Sequence, residues 1–204
     1  MTERNPLIVI PSQVDKNGIP KKQLLDIHGK PMIVHSWNRA IEASCGNVIV
    51  DCVNDEIADV VGEAGGYTYR TDPDHHLKTH NYRTESGADR VAATVNKFDR
   101  FYCHDIIINL HDDLPAIDPK YIRALLYPLA DYSVAIATLV CPMQEGDETD
   151  TSVVKATIEW EEGRNVSWIA ASKIGRVIEL SRDVADLGEG PYYHHIPIYA
   201  YQRP

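Results

Sequence analysis

Three consecutive isoleucines, Ile106, Ile107 and Ile108, lead through Asn109 and Leu110 into His111-Asp112-Asp113, and this stretch constrains the chain more than any other. An unbroken β-branched run bracketed by polar residues predicts a short strand buried on both faces of a parallel sheet. Pro115 and Pro119 prevent that strand from running on. In open α/β sheets ligands bind at the carboxyl ends of such strands, which is where His111, Asp112 and Asp113 fall. Paired aspartates there can hold Mg²⁺ against phosphate oxygens, because this small, hard cation takes carboxylate together with substrate phosphate. A solvated acidic turn is the other reading of the same residues.

The remaining chain supplies a βαβ rhythm around that strand. Leu7 to Ile10 is a compact aliphatic strand ended by Pro11, and the loop Ser12 to Gln23 after it carries Lys16, Gly18, Lys21 and Lys22. Such a loop suits phosphate cradling, and it is equally the composition of a flexible basic surface loop. His28-Gly29-Lys30-Pro31 makes a turn, and Pro31 opens a helix with Ile33, Trp37 and Ile41 on its buried face. Asn47 to Val53 is a second strand, Asp55 to Ala64 a helix closed by Gly65-Gly66, and Tyr67 to Tyr69 a third strand. Thr71 to Thr84 is polar and aperiodic; its His75, His76 and His80 lack the partners of a recognised zinc spacing. Ser86 caps a helix that buries Ala88, Ala92 and Val95, and a further helix runs from Pro119 to Tyr127. Tyr132 to Cys141, Val153 to Trp160, Val166 to Ala170 and Ile196 to Tyr201 read as strands, so the second half turns antiparallel.

At 204 residues and 44% hydrophobic composition, with no linker-like stretch, the chain predicts a single domain over residues 1–204. A formal net charge of −10 argues against a general nucleic-acid binder, so an anionic substrate must be met by a local cluster. Cys45, Cys52, Cys103 and Cys141 are scattered singly, the pattern of buried thiols in a reducing compartment, and the cytoplasm fits. No apolar run approaches membrane-spanning length, and no signal-like core follows the N-terminus.

Several stretches together resemble the CMP-Kdo synthetase family, the cytidylyltransferases that activate 3-deoxy sugar acids. They are the first strand with Pro11, then Pro20 and Lys22, Asp26 to Ile33, Ser86 to Arg90, Asn109 to Pro115, Ala135 to Leu139 and His195 to Tyr201, in the family's order over nearly the whole chain. The resemblance implies a glycosyltransferase-A-like nucleotidyltransferase fold of the α/β class: a mostly parallel central sheet, helices on both faces and a smaller antiparallel C-terminal part. It implies CTP and Mg²⁺, a cytoplasmic homodimer in lipopolysaccharide biosynthesis, and a reaction. In that reaction the sugar acid's anomeric hydroxyl attacks the α-phosphorus of CTP and releases pyrophosphate. By the same resemblance Lys22 meets the phosphates and Asp113 holds Mg²⁺. Pro11, Lys16, Ser86, Gly87 and Arg90 approach the nucleotide, and His111, His195 and Tyr199 lie near the sugar.

The chain also departs from that family's pattern. Gln13 and Gly18 stand where the first loop normally carries arginines, each able to make charge-assisted phosphate contacts of roughly 1.5–3 kcal/mol. Lys16 or Lys21 can restore charge there but not the guanidinium fork. Ala170-Ala171 replaces an expected serine and arginine, His111 a glutamine and Asp112 a glycine. The family's pattern continues past the equivalent of Pro204 with a second metal-binding aspartate, a part that Asp112 would take in this sequence. Two functions follow as expectations: a working sugar-acid cytidylyltransferase, or a degenerate homologue that binds a nucleotide, sugar or protein partner without turnover.

Overall fold

The computed structural model describes residues 4–12, 21–52, 54–70 and 87–203. β1 (Pro6–Pro11) is followed by a small hairpin of β2 (Asp26–Ile27) and β3 (Lys30–Pro31), then α1 (Met32–Ala43), β4 (Asn47–Cys52), α2 (Asp55–Glu63) and β5 (Tyr67–Arg70). The chain continues through α3 (Gly87–Phe98), β6 (Ile106–Leu110), α4 (Pro119–Ala124), β7 (Ile136–Pro142), β8 (Lys155–Trp160), β9 (Gly175–Ser181) and β10 (Tyr192–Gln202). Among the described residues eight strands form one sheet in the order β5-β4-β1-β6-β10-β8-β9, with β7 on β10. β5, β4, β1 and β6 are parallel, whereas β10 runs antiparallel to β6, β7 and β8, and β9 antiparallel to β8.

The isoleucine run behaves as its composition dictates. Ile106 to Leu110 is buried throughout, with β1 on one side and β10 on the other. Alternation splits the strands between two layers. Ile8, Ile10, Ile106, Ile108 and Leu110 pack beneath Ile33 and Val34 of α1, Ile57 and Val61 of α2, and Ile122 of α4. Leu7, Val9, Ile49 and Ile107 face Val91 and Val95 of α3 on the other side. Each such fully buried aliphatic side chain contributes about 1.5–3 kcal/mol, which is why the sheet's parallel half is a rigid platform. Among the described residues no helix is long and apolar enough to cross a membrane.

Several boundaries differ from expectation. Val166 to Ala170 is not a strand: Val166 and Ile169 fold into a turn tied by Ser172, whose hydroxyl is 3.0 Å from the Val166 carbonyl and 2.8 Å from that of Ile169. Val166 and Ile174 instead pack against Ala124 of α4, so their apolar character serves a satellite cluster. The strand that follows β8 and pairs with its outer side is β9, whose largely exposed edge position gives no clean hydrophobic signature. β7 begins at Ile136, because Asp131 to Ser133 closes a turn, and the helix from Pro119 ends at Ala124. β10 begins at Tyr192 and so includes His194 and His195.

The buried faces of two helices are also rotated from expectation. In α1 the buried residues include Ile33, Val34, Ala40 and Ala43, while Ile41 is exposed; a strict four-residue spacing drifts off a face that repeats every 3.6 residues. In α3 the buried residues are Arg90, Val91, Thr94 and Val95, and Ala88 and Ala92 face solvent. Of the four cysteines, all free, only Cys52 is fully buried, and Cys103 is exposed.

Candidate functional site

The carboxyl ends of β1, β4 and β6 gather the polar residues. Ser12 follows β1 directly, and its N–H donates to the Asp51 carbonyl at 2.9 Å. Arg90 of α3 reaches the same point from behind the sheet: it donates to the Ser12 carbonyl, and its Nη2 lies 2.7 Å from Asp51 Oδ2 and 3.2 Å from the Asp51 carbonyl. Both side chains are buried, so this fork clamps the ends of β1 and β4 together. Arg90 therefore acts on the first loop through Ser12. Asp51 had no signal in the sequence, since an aspartate near a strand end is ordinary.

A second clasp joins the first loop to the turn after β6. Lys21 adopts a left-handed conformation (φ 53°) and opens a single 3₁₀ turn over Lys22–Leu24. Lys22 points its ammonium at Asp113, 3.1 Å from Oδ2, and both partners remain partly exposed. Gln23, the next residue, is buried and donates from Nε2 to Asp112 Oδ2 at 2.9 Å. Ser36 of α1 donates to the Asp112 carbonyl at 2.8 Å. Two successive residues of one segment thus meet two successive residues of the other, one pair outside and one inside. Lys21 turns away to Glu56 of α2 at 2.7 Å.

This arrangement separates the two aspartates. Asp113 offers a partly exposed carboxylate beside a cation, and its hard oxygens suit a metal that keeps several waters and takes one or two carboxylates plus phosphate. Asp112 is 7% exposed and spends Oδ2 on Gln23, the environment of an anchor. Among the described residues no group of three or more His, Cys, Asp or Glu side chains is arranged as a metal cage.

β10 brings the remaining polar residues to β6. Tyr199 pairs with Asn109 and Ile198 with Leu110, which puts His195 beside the turn that carries His111. His195 is 4% exposed; burial first, then the nearby His111 and His194, push its imidazole down to about 4. It is therefore neutral at physiological pH. Its ring lies 5.3 Å from that of Tyr199, which stacks in turn on Tyr201 at 6.2 Å. Burial raises both tyrosines; at Tyr201 the neighbouring Tyr199 adds to it and the Asn109 side chain opposes it. Asn109, a polar residue inside an apolar run, was a readable signal of this polar layer that the isoleucines overshadowed.

The structure thus brings together Lys22, Asp112, Asp113, His111, His195 and Tyr199, with Pro11 buried at the end of β1. Gly87 opens α3, half-buried. Gln13, Lys16, Gly18, Pro20 and Ser86 lie outside the described residues, as do His75, His76 and His80 of the polar stretch. Gln23, Ser36, Asp51 and Thr138 are the polar contacts that sequence reasoning missed.

Residues 7–202 match the sequence model of a family described as cytidylyltransferase. The chain is 41% identical over 204 residues to the 3-deoxy-manno-octulosonate cytidylyltransferase of Paramagnetospirillum magneticum, covering 100% of this chain and 76% of that protein. The enzyme of the same name from Rhodospirillum centenum is 43% identical over 201 residues, covering 98% of this chain and 72% of the relative. Among solved structures, the CMP:2-keto-3-deoxy-manno-octonic acid synthetase complexed with CTP superposes with a TM-score of 0.75 at 29% identity. That match covers 97% of this chain and 74% of the other.

Proposed function

This chain belongs to the cytidylyltransferase family, and on that premise we propose how its residues carry out the reaction. It is a CTP-dependent nucleotidyltransferase that transfers CMP to a 3-deoxy sugar acid of the manno-octulosonate type and releases pyrophosphate. The acceptor's hydroxyl oxygen forms a bond to the α-phosphorus, the bond from that phosphorus to the bridging oxygen breaks, and the hydroxyl proton leaves to solvent or a base. Chemistry of this kind asks the protein for position and charge compensation, with no covalent intermediate on a side chain.

The observation that carries the assignment of roles is the convergence of Lys22 and Asp113 at the end of β6, beside His111 and His195. Lys22 supplies a mobile point charge for the triphosphate. Asp113 would hold Mg²⁺, which when bound neutralises phosphate charge as a Lewis acid. Before the nucleotide arrives the two side chains compensate each other. A partly exposed pair of this kind is worth about 1 kcal/mol or less, so exchanging partners on binding costs little. Arg90 and Asp51 hold the start of the first loop, and Asp112 with Gln23 holds its end, so the lysine is presented from two fixed points. His111, His195 and Tyr199 face the sugar acid, and Gly87 with Ser86 and Lys16 belongs to the nucleotide side.

Mg²⁺ as the resident ion, a homodimeric assembly and a cytoplasmic setting complete the proposal; the family pattern supports the first two and four free cysteines the third. The test is pyrophosphate release from CTP over a panel of sugar acids, with and without Mg²⁺. Release that depends on both a 3-deoxy-2-keto sugar acid and the ion is expected. No release with any acid would return the chain to the binding-only reading.

A further inference from the structure

The ladder between β7 and β10 breaks beside His195. Ile196 pairs with Leu139 and Tyr199 with Thr138, so Pro197 and Ile198 bulge out of register on β10. Proline donates no ladder hydrogen bond, and a bulge re-aims the side chains next to it. Thr138 fills the break: its Oγ1 lies 2.7 Å from the Ile198 carbonyl, 3.5 Å from that of Ile196, and 3.0 Å from His195 Nε2.

A threonine hydroxyl has one proton to give and two lone pairs to offer. A carbonyl oxygen can only accept, and Ile198 is the nearer, so the hydroxyl proton belongs to it. The contact with the imidazole then needs its proton from Nε2, which leaves Nδ1 with the lone pair. Which nitrogen of a neutral histidine carries the proton is set by the hydrogen bonds the ring makes, and here Nε2 is the nitrogen bonded to Thr138.

We infer that Thr138 is a positioning residue that holds His195 as the Nε2–H tautomer. The ring can then offer the sugar acid only an acceptor nitrogen, Nδ1, suited to one of its hydroxyls and unsuited to its carboxylate. The inference rests on the reading that His195 faces the sugar. Burial beside His111 and His194, which keeps the ring uncharged, agrees with it: a neutral ring cannot serve as a counter-ion. The acid's carboxylate must therefore be met elsewhere, while His195 discriminates by hydroxyl. Selectivity of that type is strong, because an analogue lacking the hydroxyl leaves a buried polar atom unpaired.

The test combines a long-range proton–nitrogen NMR correlation on the full chain labelled in histidine nitrogen, assigned with His195→Gln, with steady-state kinetics. At neutral pH His195 should show the Nε2–H pattern. Thr138→Val should shift it toward Nδ1–H and raise KM for the sugar acid roughly tenfold, the cost of about one hydrogen bond, with KM for CTP unchanged. Thr138→Ser, which keeps the hydroxyl, should restore both. A wild-type His195 that is Nδ1–H or doubly protonated at neutral pH overturns the inference whether or not the valine variant folds. So does a folded Thr138→Val with unchanged tautomer and KM. The stated tautomer in a protein that transfers CMP to no sugar acid would overturn the function reading and the sugar-facing role with it, leaving the contact as fold architecture.

Discussion

Gln23 donates to Asp112 at 2.9 Å inside the protein, one residue along from the Lys22–Asp113 pair at 3.1 Å outside it. The inner contact fixes the height of the outer one. The adjacent aspartates therefore divide the work, one held in the interior and one available to ligands, and the two can be separated by mutation.

Asp113→Asn removes the accessible charge and keeps the size. Because Lys22 and Asp113 are partly exposed, stability should change by about 1 kcal/mol or less. Mg²⁺-dependent CTP binding should be lost. Calorimetry with CTP and Mg²⁺, set beside a urea melt, checks both halves, and unchanged affinity would reduce Asp113 to an acidic turn residue.

Gln23→Met should do the reverse. It takes a donor from a buried carboxylate, an effect of about 1–3 kcal/mol on unfolding free energy. Affinity for CTP should fall less than in Asp113→Asn, since both the lysine and the accessible aspartate survive. A variant with full stability would show that the inner contact anchors nothing.

Arg90→Met breaks a buried ion pair and strips the Ser12 carbonyl of its donor. Removing one partner of such a pair typically costs about 3–5 kcal/mol, because a charge stays buried. Arg90→Lys should recover only part of that loss, as an ammonium cannot span Ser12 and Asp51 with a planar fork. Denaturant melts of the three proteins supply the comparison.

The parallel platform was legible because its signal is local. Three β-branched residues in a row at Ile106 favour a short buried strand, and Gly29 after Asp26-Ile27-His28 makes a tight turn, with φ of 50° and 83° at His28 and Gly29. The position of the acidic turn at the end of β6 was legible for the same reason. The clasps were not. Gln23 and Asp112 are 89 residues apart, Arg90 and Ser12 78, and Thr138 and His195 57, so each pairing exists only once the sheet order is known. β9 escaped for a different reason: an edge strand exposed along most of its length carries no burial pattern to read.

Acid should loosen the chain in two stages, and the sign follows from which state holds more protons. His195 titrates at about 4 when folded against 6.5 for a free imidazole, so between those values the unfolded chain binds the extra proton. Its contribution is fully present above 6.5 and is lost as pH falls toward 4. Asp99 and Asp105 act lower. Burial pushes Asp99 up, yet the N–H groups of Cys103 and His104 and the His104 ring outweigh it. Burial likewise opposes Arg4 and the Asn5 N–H at Asp105, so both carboxyls end below 3.8. Their contribution is present above 3.8 and disappears as pH drops through the folded values. Unfolding free energy from urea melts between pH 7 and pH 3 should therefore decline with a first limb below about 6.5. His195→Gln should flatten that limb and leave the lower one in place. An unchanged upper limb in the variant would mean that His195 is not held neutral by the fold.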